Sequence, residues 1–180
     1  MTQYNNTIRC ALLSEIPALN EIIKISSKAL SDQYYNHDEI SGLNQYVFGA
    51  DSELIADQSY FVVERDGIII ACGGWSRRKT LFGGDQCSDR SSGYLDPSQD
   101  AAKIRAFFIH ADYARQGLGS LLMNHCEDEA RKHGFQNIEL MSTLPGIPFY
   151  EKHGFIGTEL VNYTLPNGIV IKLKPMTKSL

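Results

Sequence analysis

Apolar positions in this chain change period several times, and each change marks an element. A short apolar run, Thr7 to Leu13 ("TIRCALL"), predicts a first strand. Leu19, Ile22, Ile23, Ser26 and Leu30 then recur at three- and four-residue spacing, the face of an amphipathic helix. Ser14 is placed to cap it, and Pro17 falls in its first turn, where a missing N–H does little harm. A second helix is expected over Asp38 to Phe48 and a short third over Ser52 to Asp57. "SYFVVERDGIIIACGGW" is a hairpin: two β-branched and aromatic runs flank Asp66-Gly67, a strong tight-turn pair. Ser76 to Asp100 shows no period, is rich in Ser, Gly and Asp, and reads as a long loop of the kind that is often functional.

The second half alternates more regularly. "AAKIRAFFIH" (Ala101 to His110) is a strand, followed by a helix from about Gly117 with Leu118, Leu121, Leu122, Cys126 and Ala130 on one face. Gly134 is its expected C-terminal stop. "NIELMST" is the next strand and "PFYEKHG" a short helix closed by Gly154. "FIGTELVNYTL" and "GIVIKLK" are two strands joined by Pro166-Asn167-Gly168. Strands interleaved with helices predict an α/β sandwich in one domain, residues 1–180, with its core over about 7–174. Hairpins at both ends call for a mixed sheet rather than an all-parallel one.

Composition narrows the function classes. Apolar residues make up 43% and charged residues 21%, as in soluble globular proteins. The net charge of -4 and the lack of a basic run longer than Arg77-Arg78-Lys79 disfavour nucleic acid as a partner. Cys10, Cys72, Cys87 and Cys126 form no C-x-x-C pair, and no His cluster has metal-ligand spacing, so free thiols in a cytoplasmic setting and no metal are expected. The start "MTQYNNTIRC" lacks a signal-peptide core, and Ile68 to Cys72 is far too short for a membrane span.

One stretch resists a purely structural reading. The helix after "FFIH" opens on Gly117 and Gly119, which cost about 1 kcal/mol each relative to alanine. A helix N-terminus exposes unpaired N–H groups and partial positive charge, and glycines remove the Cβ atoms that would keep a phosphate away. Arg115-Gln116-Gly117-Leu118-Gly119-Ser120 therefore reads either as a pyrophosphate cradle or as a glycine-rich capping turn. It lacks the third glycine of a dinucleotide fingerprint and the Lys-Ser/Thr of a Walker A loop.

Here the sequence resembles the GCN5-related N-acetyltransferase family, whose signature is Arg/Gln-x-x-Gly-x-Gly/Ala between a strand and a helix. "ARQGLG" carries it, with Ala114 in the usual Arg/Gln slot, and "FYEKHGF" (Phe149 to Phe155) matches a second family signature one helix and one strand later. The resemblance implies a sandwich whose mixed, mostly antiparallel sheet contains a splayed central strand pair flanked by helices. It implies acetyl transfer from acetyl-CoA to a primary amine of a small molecule, by direct attack. Backbone from Gln116 to Ser120, with Arg115 nearby, would take the pyrophosphate; Phe108 and Ile109 would meet the pantetheine arm; a main-chain N–H near Ile109 would face the developing oxyanion. Tyr150 would protonate the leaving thiolate; read without the resemblance it is an aromatic packed with Phe149 and Phe155. Glu64, His110 or ordered water are the options for a base. Tyr34, Tyr35, Trp75, Arg77 and the 76–100 loop are options for the acceptor pocket. Homodimers are common in the family. A protein acetyltransferase and a non-catalytic acyl-CoA sensor are the alternatives.

Overall fold

The structure is a computed structural model that describes residues 5–180. Strand β1 (Asn6–Cys10) ends at Cys10 rather than Leu13; Leu12 and Leu13 are exposed. A 3-10 turn over Leu13–Glu15 leads into α1 (Ile16–Ser31), so Ser14 lies inside a turn and caps nothing. The Glu15 carboxylate accepts instead from the Leu12 N–H at 2.8 Å. Leu19, Ile22, Ile23 and Ser26 are buried as expected, but Leu30 is exposed. Near its end α1 turns Ser27 and Ser31 inward; Ser27 Oγ donates to Asn44 Oδ1 at 2.7 Å, so the last turns face another helix rather than the sheet.

That helix is α2 (His37–Tyr46), which starts on a capping box: Asn36 and Glu39 each accept the other's backbone N–H. Asp51 caps α3 (Ser52–Ala56). Strands β2 (Tyr60–Arg65) and β3 (Ile68–Ser76) form the expected hairpin, with Asp66 and Gly67 at φ 52° and 78°. Two adjacent positive φ values are the requirement of a tight turn that matches strand twist. Then follow β4 (Ala102–Ile109), α4 (Leu118–Lys132), β5 (Asn137–Thr143), α5 (Ile147–Lys152), β6 (Ile156–Gly157), β7 (Val161–Thr164) and β8 (Val170–Ser179). Gly134 and Gly154 close their helices at φ 87° and 83°.

Two further expectations need correction. Leu121 is exposed, and Met123 takes its place on the buried face, because the stripe is centred on Leu122, Cys126 and Ala130. The strand expected over 155–165 is two, β6 and β7, both paired to β8. Gly157 faces Met176 and Val161 faces Leu173, so the outer chain carries one residue more than β8. The extra residue falls opposite Lys174-Pro175, and a proline has no N–H to offer a ladder. Strand β8 itself runs past Lys174 to Ser179, paired along all of β5.

The sheet order is β1-β2-β3-β4-β5-β8-β6, with β7 also on β8. All pairs are antiparallel except β4 with β5. Residues of β2 alternate between two cores. Phe61 and Val63 pack with the α4 stripe, while Tyr60 and Val62 pack with Leu19, Ile22 and Ile23 of α1 and Leu54 of α3. Burial on both faces explains why β2 and β3 read as continuous apolar runs. Among the described residues no helix is long and apolar enough to cross a membrane.

Candidate active site

The parallel pair β4 and β5 touches only at its start. Ala102 pairs with Ile138 and Lys103 with Glu139, and beyond that the strands diverge. The cause lies on the other side of β4. Between Cys72↔Phe108 and Gly74↔Arg105 the register slips, giving β4 one residue more than β3. Ala106 at the bulge has φ 52°, and the Tyr60 hydroxyl donates to its carbonyl at 3.0 Å. A bulge bends its strand and adds twist. Gly73 makes room for it, since a Cβ there would lie 2.6 Å from the Phe107 ring.

The divergence opens a cleft between the two strands. Ile104 to Phe108 form one wall, with no strand along their β5 side. Leu140, Met141 and Thr143 form the other, and Tyr150 reaches in from α5. Leu43, Val47 and Phe48 of the α2–α3 region, Phe82 of the 77–101 loop and Leu173 of β8 complete the lining. Burial pushes the Tyr150 phenol well above its ordinary value of 10.0. Among the described residues its hydroxyl has no hydrogen-bond partner, while its ring packs edge-on to Phe149 and Phe155, at 5.2 Å and 5.7 Å between centroids.

Beside Tyr150 stands the start of α4. Arg115 and Gly117 both have positive φ, 65° and 83°, and Gly117 is the helix N-cap. The backbone N–H groups from Arg115 to Ser120 donate to no protein group among the described residues. A Cβ on Gly117 would meet nothing within 4 Å, so the ground above this turn is open. Gly119 is different: a Cβ there would lie 2.9 Å from the Phe149 ring. One glycine leaves space outside the protein, and the other lets α4 approach α5. Ser120 Oγ and His153 Nε2, 2.9 Å apart, bond the same two helices; burial holds His153 below its ordinary 6.5.

The remaining expected residues sort unevenly. Phe108 lines the cleft and meets Phe48 edge-on at 5.3 Å. Ile109 pairs with Ala71 beyond the cleft, half-buried against the core. Leu118 is buried, so only its N–H faces the open turn. The Gln116 side chain accepts from Arg65 at 2.8 Å, which commits it to the fold, while Arg115 is exposed. Glu64 is ion-paired to Arg9 at 2.6 Å on β2, and His110 accepts from the Asp112 N–H at 3.3 Å; neither lines the cleft. Tyr34 is exposed, Trp75 is core, and Arg77 covers Tyr94. Tyr35 is a fastener, donating to Lys172 O and accepting from Leu144 N, and burial pushes it up to about 12.

Sequence reasoning misses a buried charge cluster behind the cleft. Asp51, fully buried, accepts from Arg105 Nη2 at 2.7 Å and from Arg90 at 3.1 Å, besides capping α3. Arg105 also donates to the carbonyls of Thr80 (2.9 Å) and Gly83, on either side of Phe82. Arg78 binds Asp57 through two hydrogen bonds, at 2.6 Å and 2.8 Å. These bonds turn an aperiodic loop into a fixed wall. The available signal is Arg105 itself, a cation in the middle of the apolar strand "AAKIRAFFIH".

An open, partly splayed sheet with a glycine-capped helix at the splay is found in known proteins. The profile of the acetyltransferase (GNAT) family matches residues 19–155. An amino-acid acetyltransferase of Pasteurella multocida (strain Pm70) is 22% identical over 161 residues, 89% of this chain; the chain spans 29% of that relative's length. A GCN5-related N-acetyltransferase of Rhodopseudomonas palustris superposes with a TM-score of 0.73 at 16% identity, covering 100% of this chain and 99% of that one. The PaiA N-acetyltransferase of Thermoplasma acidophilum, solved with coenzyme A, gives 0.64 at 13% identity, covering 98% and 99%. The chain belongs to the acetyltransferase (GNAT) family, whose acyl donor is acetyl-CoA.

Proposed function

We propose that this protein moves the acetyl group of acetyl-CoA to the primary amine of a small molecule by direct attack. The observation that carries the reading is the cleft itself: bare strand backbone on β4, an open glycine turn at one side, and a half-buried phenol reaching in.

The residues fit the donor. The unpaired N–H groups from Arg115 to Ser120 and the dipole of α4 suit the pyrophosphate, with Arg115 adding charge. Without the usual basic residue at 114, the turn acts mainly through backbone. The free edge of β4 around Phe108 offers main-chain groups to the pantetheine amides, the logic of strand addition. Acetyl-CoA supplies an activated thioester when bound.

The amine nitrogen bonds to the thioester carbonyl carbon, the carbon–sulfur bond breaks, and the proton the nitrogen sheds balances the one the thiolate gains. A main-chain N–H of β4 near Ile109 faces the oxyanion. Tyr150, held protonated by burial, donates to sulfur. Among the described residues Arg105 is the only charged side chain lining the cleft, and an arginine is no base at neutral pH. The amine therefore arrives neutral or sheds its proton to water. The family relative named for an amino-acid acceptor makes an amino acid one acceptor to test.

The test pairs calorimetry with thiol release. Acetyl-CoA should bind, and at least one member of a panel of arylalkylamines, polyamines and amino acids should release free coenzyme A. Binding without turnover of any amine would reduce the protein to an acyl-CoA sensor.

A further inference from the structure

The cleft has a composition that selects among amines. Away from β4 its side-chain lining is Leu43, Val47, Phe48, Phe82, Leu140, Met141 and Leu173, broken only by Thr143 and Tyr150. The apolar residues come from four separate parts of the chain, so the apolar character is not one amphipathic face turned inward. Phe82 sits on the 77–101 loop, yet it is not free to swing. The Thr80 and Gly83 carbonyls on either side of it are both held by Arg105, and Gly84 N donates to Val47 O at 2.8 Å. Its ring meets Tyr163 edge-on at 5.0 Å.

Arg105 is the one lining cation among the described residues, and it is already committed. Asp51 neutralises it at 2.7 Å, its other hydrogen bonds go to loop carbonyls, and its Nε, sealed from solvent, has no hydrogen-bond partner among the described residues. A carboxylate entering the cleft would lose water and meet only a cation already neutralised by Asp51, which is unfavourable. A second ammonium would meet no carboxylate there either. An aromatic or branched apolar body, by contrast, gains from burial and from edge-on ring contacts with Phe48 and Phe82.

Building on the transfer reading above, we propose that the acceptor is a primary monoamine carried on an aromatic or branched apolar body, and that Phe82 is a specificity-determining residue for it. Arg105 acts through Phe82, as the positioning residue that fixes the loop against β4.

The test compares kcat/KM for 2-phenylethylamine, L-glutamate and spermidine at saturating acetyl-CoA. 2-Phenylethylamine should lead by at least about tenfold, the scale on which an apolar pocket discriminates. Phe82→Ala should lower kcat/KM for 2-phenylethylamine by roughly tenfold while leaving the KM for acetyl-CoA unchanged, and Phe82→Leu should recover part of the loss. Melting curves establish that both variants fold. Faster turnover of L-glutamate or spermidine, or an equal loss for every amine in Phe82→Ala, would overturn the apolar acceptor and leave acetyl transfer standing. No turnover of any amine by the native protein would overturn acetyl transfer and this inference together.

Discussion

Tyr150 combines two properties that a proton donor to a thiolate needs: it lines the cleft, and its hydroxyl is not spent on the protein. Burial raises its pKa, because ionisation would place a charge among Phe149, Phe155 and Cys126. The sign of the pH effect follows. A raised pKa keeps the phenol protonated beyond pH 10.0, where an ordinary tyrosine would be half ionised. The kcat/KM should rise with pH as the amine loses its proton, without an alkaline limb at or below that value. Tyr150→Phe should lower kcat by roughly a hundredfold, the typical worth of a general acid, while acetyl-CoA affinity stays within error. Turnover that survives Tyr150→Phe would return this side chain to the aromatic packing it also makes. Its place in "FYEKHGF" is readable from sequence. Its raised pKa is not, since that depends on Cys126 and on the cleft, which come together only in three dimensions.

At the scale of elements, the start of α4 answers why a helix should open on weak formers. Gly117 adopts a conformation that L-residues rarely take and stands under open space; Gly119 sits where a methyl group would press on Phe149. Substitutions should separate the two. Gly117→Val places a branched side chain above the turn and should raise the acetyl-CoA dissociation constant most. Gly119→Ala gains helix propensity but pushes on Phe149, the residue before Tyr150, and should lower kcat more than it weakens binding. Calorimetry and steady-state kinetics on both variants check this, and identical effects on binding would refute the division. The glycine pair is legible in the sequence as a pair. Its split roles are not, because only the packing of α5 distinguishes them. The same limit explains the other departures. Period gives the strand and helix order, since alternate and 3.6-residue patterns report local geometry. It does not show the bulge at Ala106, which needs Gly73 and Tyr60 from another hairpin, or the pinning of the loop by Arg105 and Asp51. Those are pairings between distant residues, and they are what makes the cleft.

At the scale of the whole molecule, the cleft depends on a sheet whose edge strand must stay attached. Strand β1 is short, and among the described residues β2 is its sole strand neighbour. Besides that ladder, Arg9 on β1 bridges Glu15, just before α1, and Glu64 on β2, each at 2.6 Å. The arginine holds both carboxyls below their ordinary value of 4.5, chiefly through its hydrogen bonds. A carboxyl whose pKa is lower folded than unfolded binds fewer protons in the folded state, so it stabilises the fold above its unfolded value. That contribution should be complete at neutral pH and disappear as the pH falls through the lowered folded values. The groups are partly exposed, so added salt should screen part of it. Arg9→Met keeps an apolar stem of similar reach and removes the charge. Its melting temperature should lie below the native one at pH 7, approach it as pH drops below 4.5, and approach it again in 1 M salt. A gap between the two curves that does not change with pH would mean that Arg9 holds β1 by packing of its stem, and that the edge of the sheet does not depend on this ionic bridge.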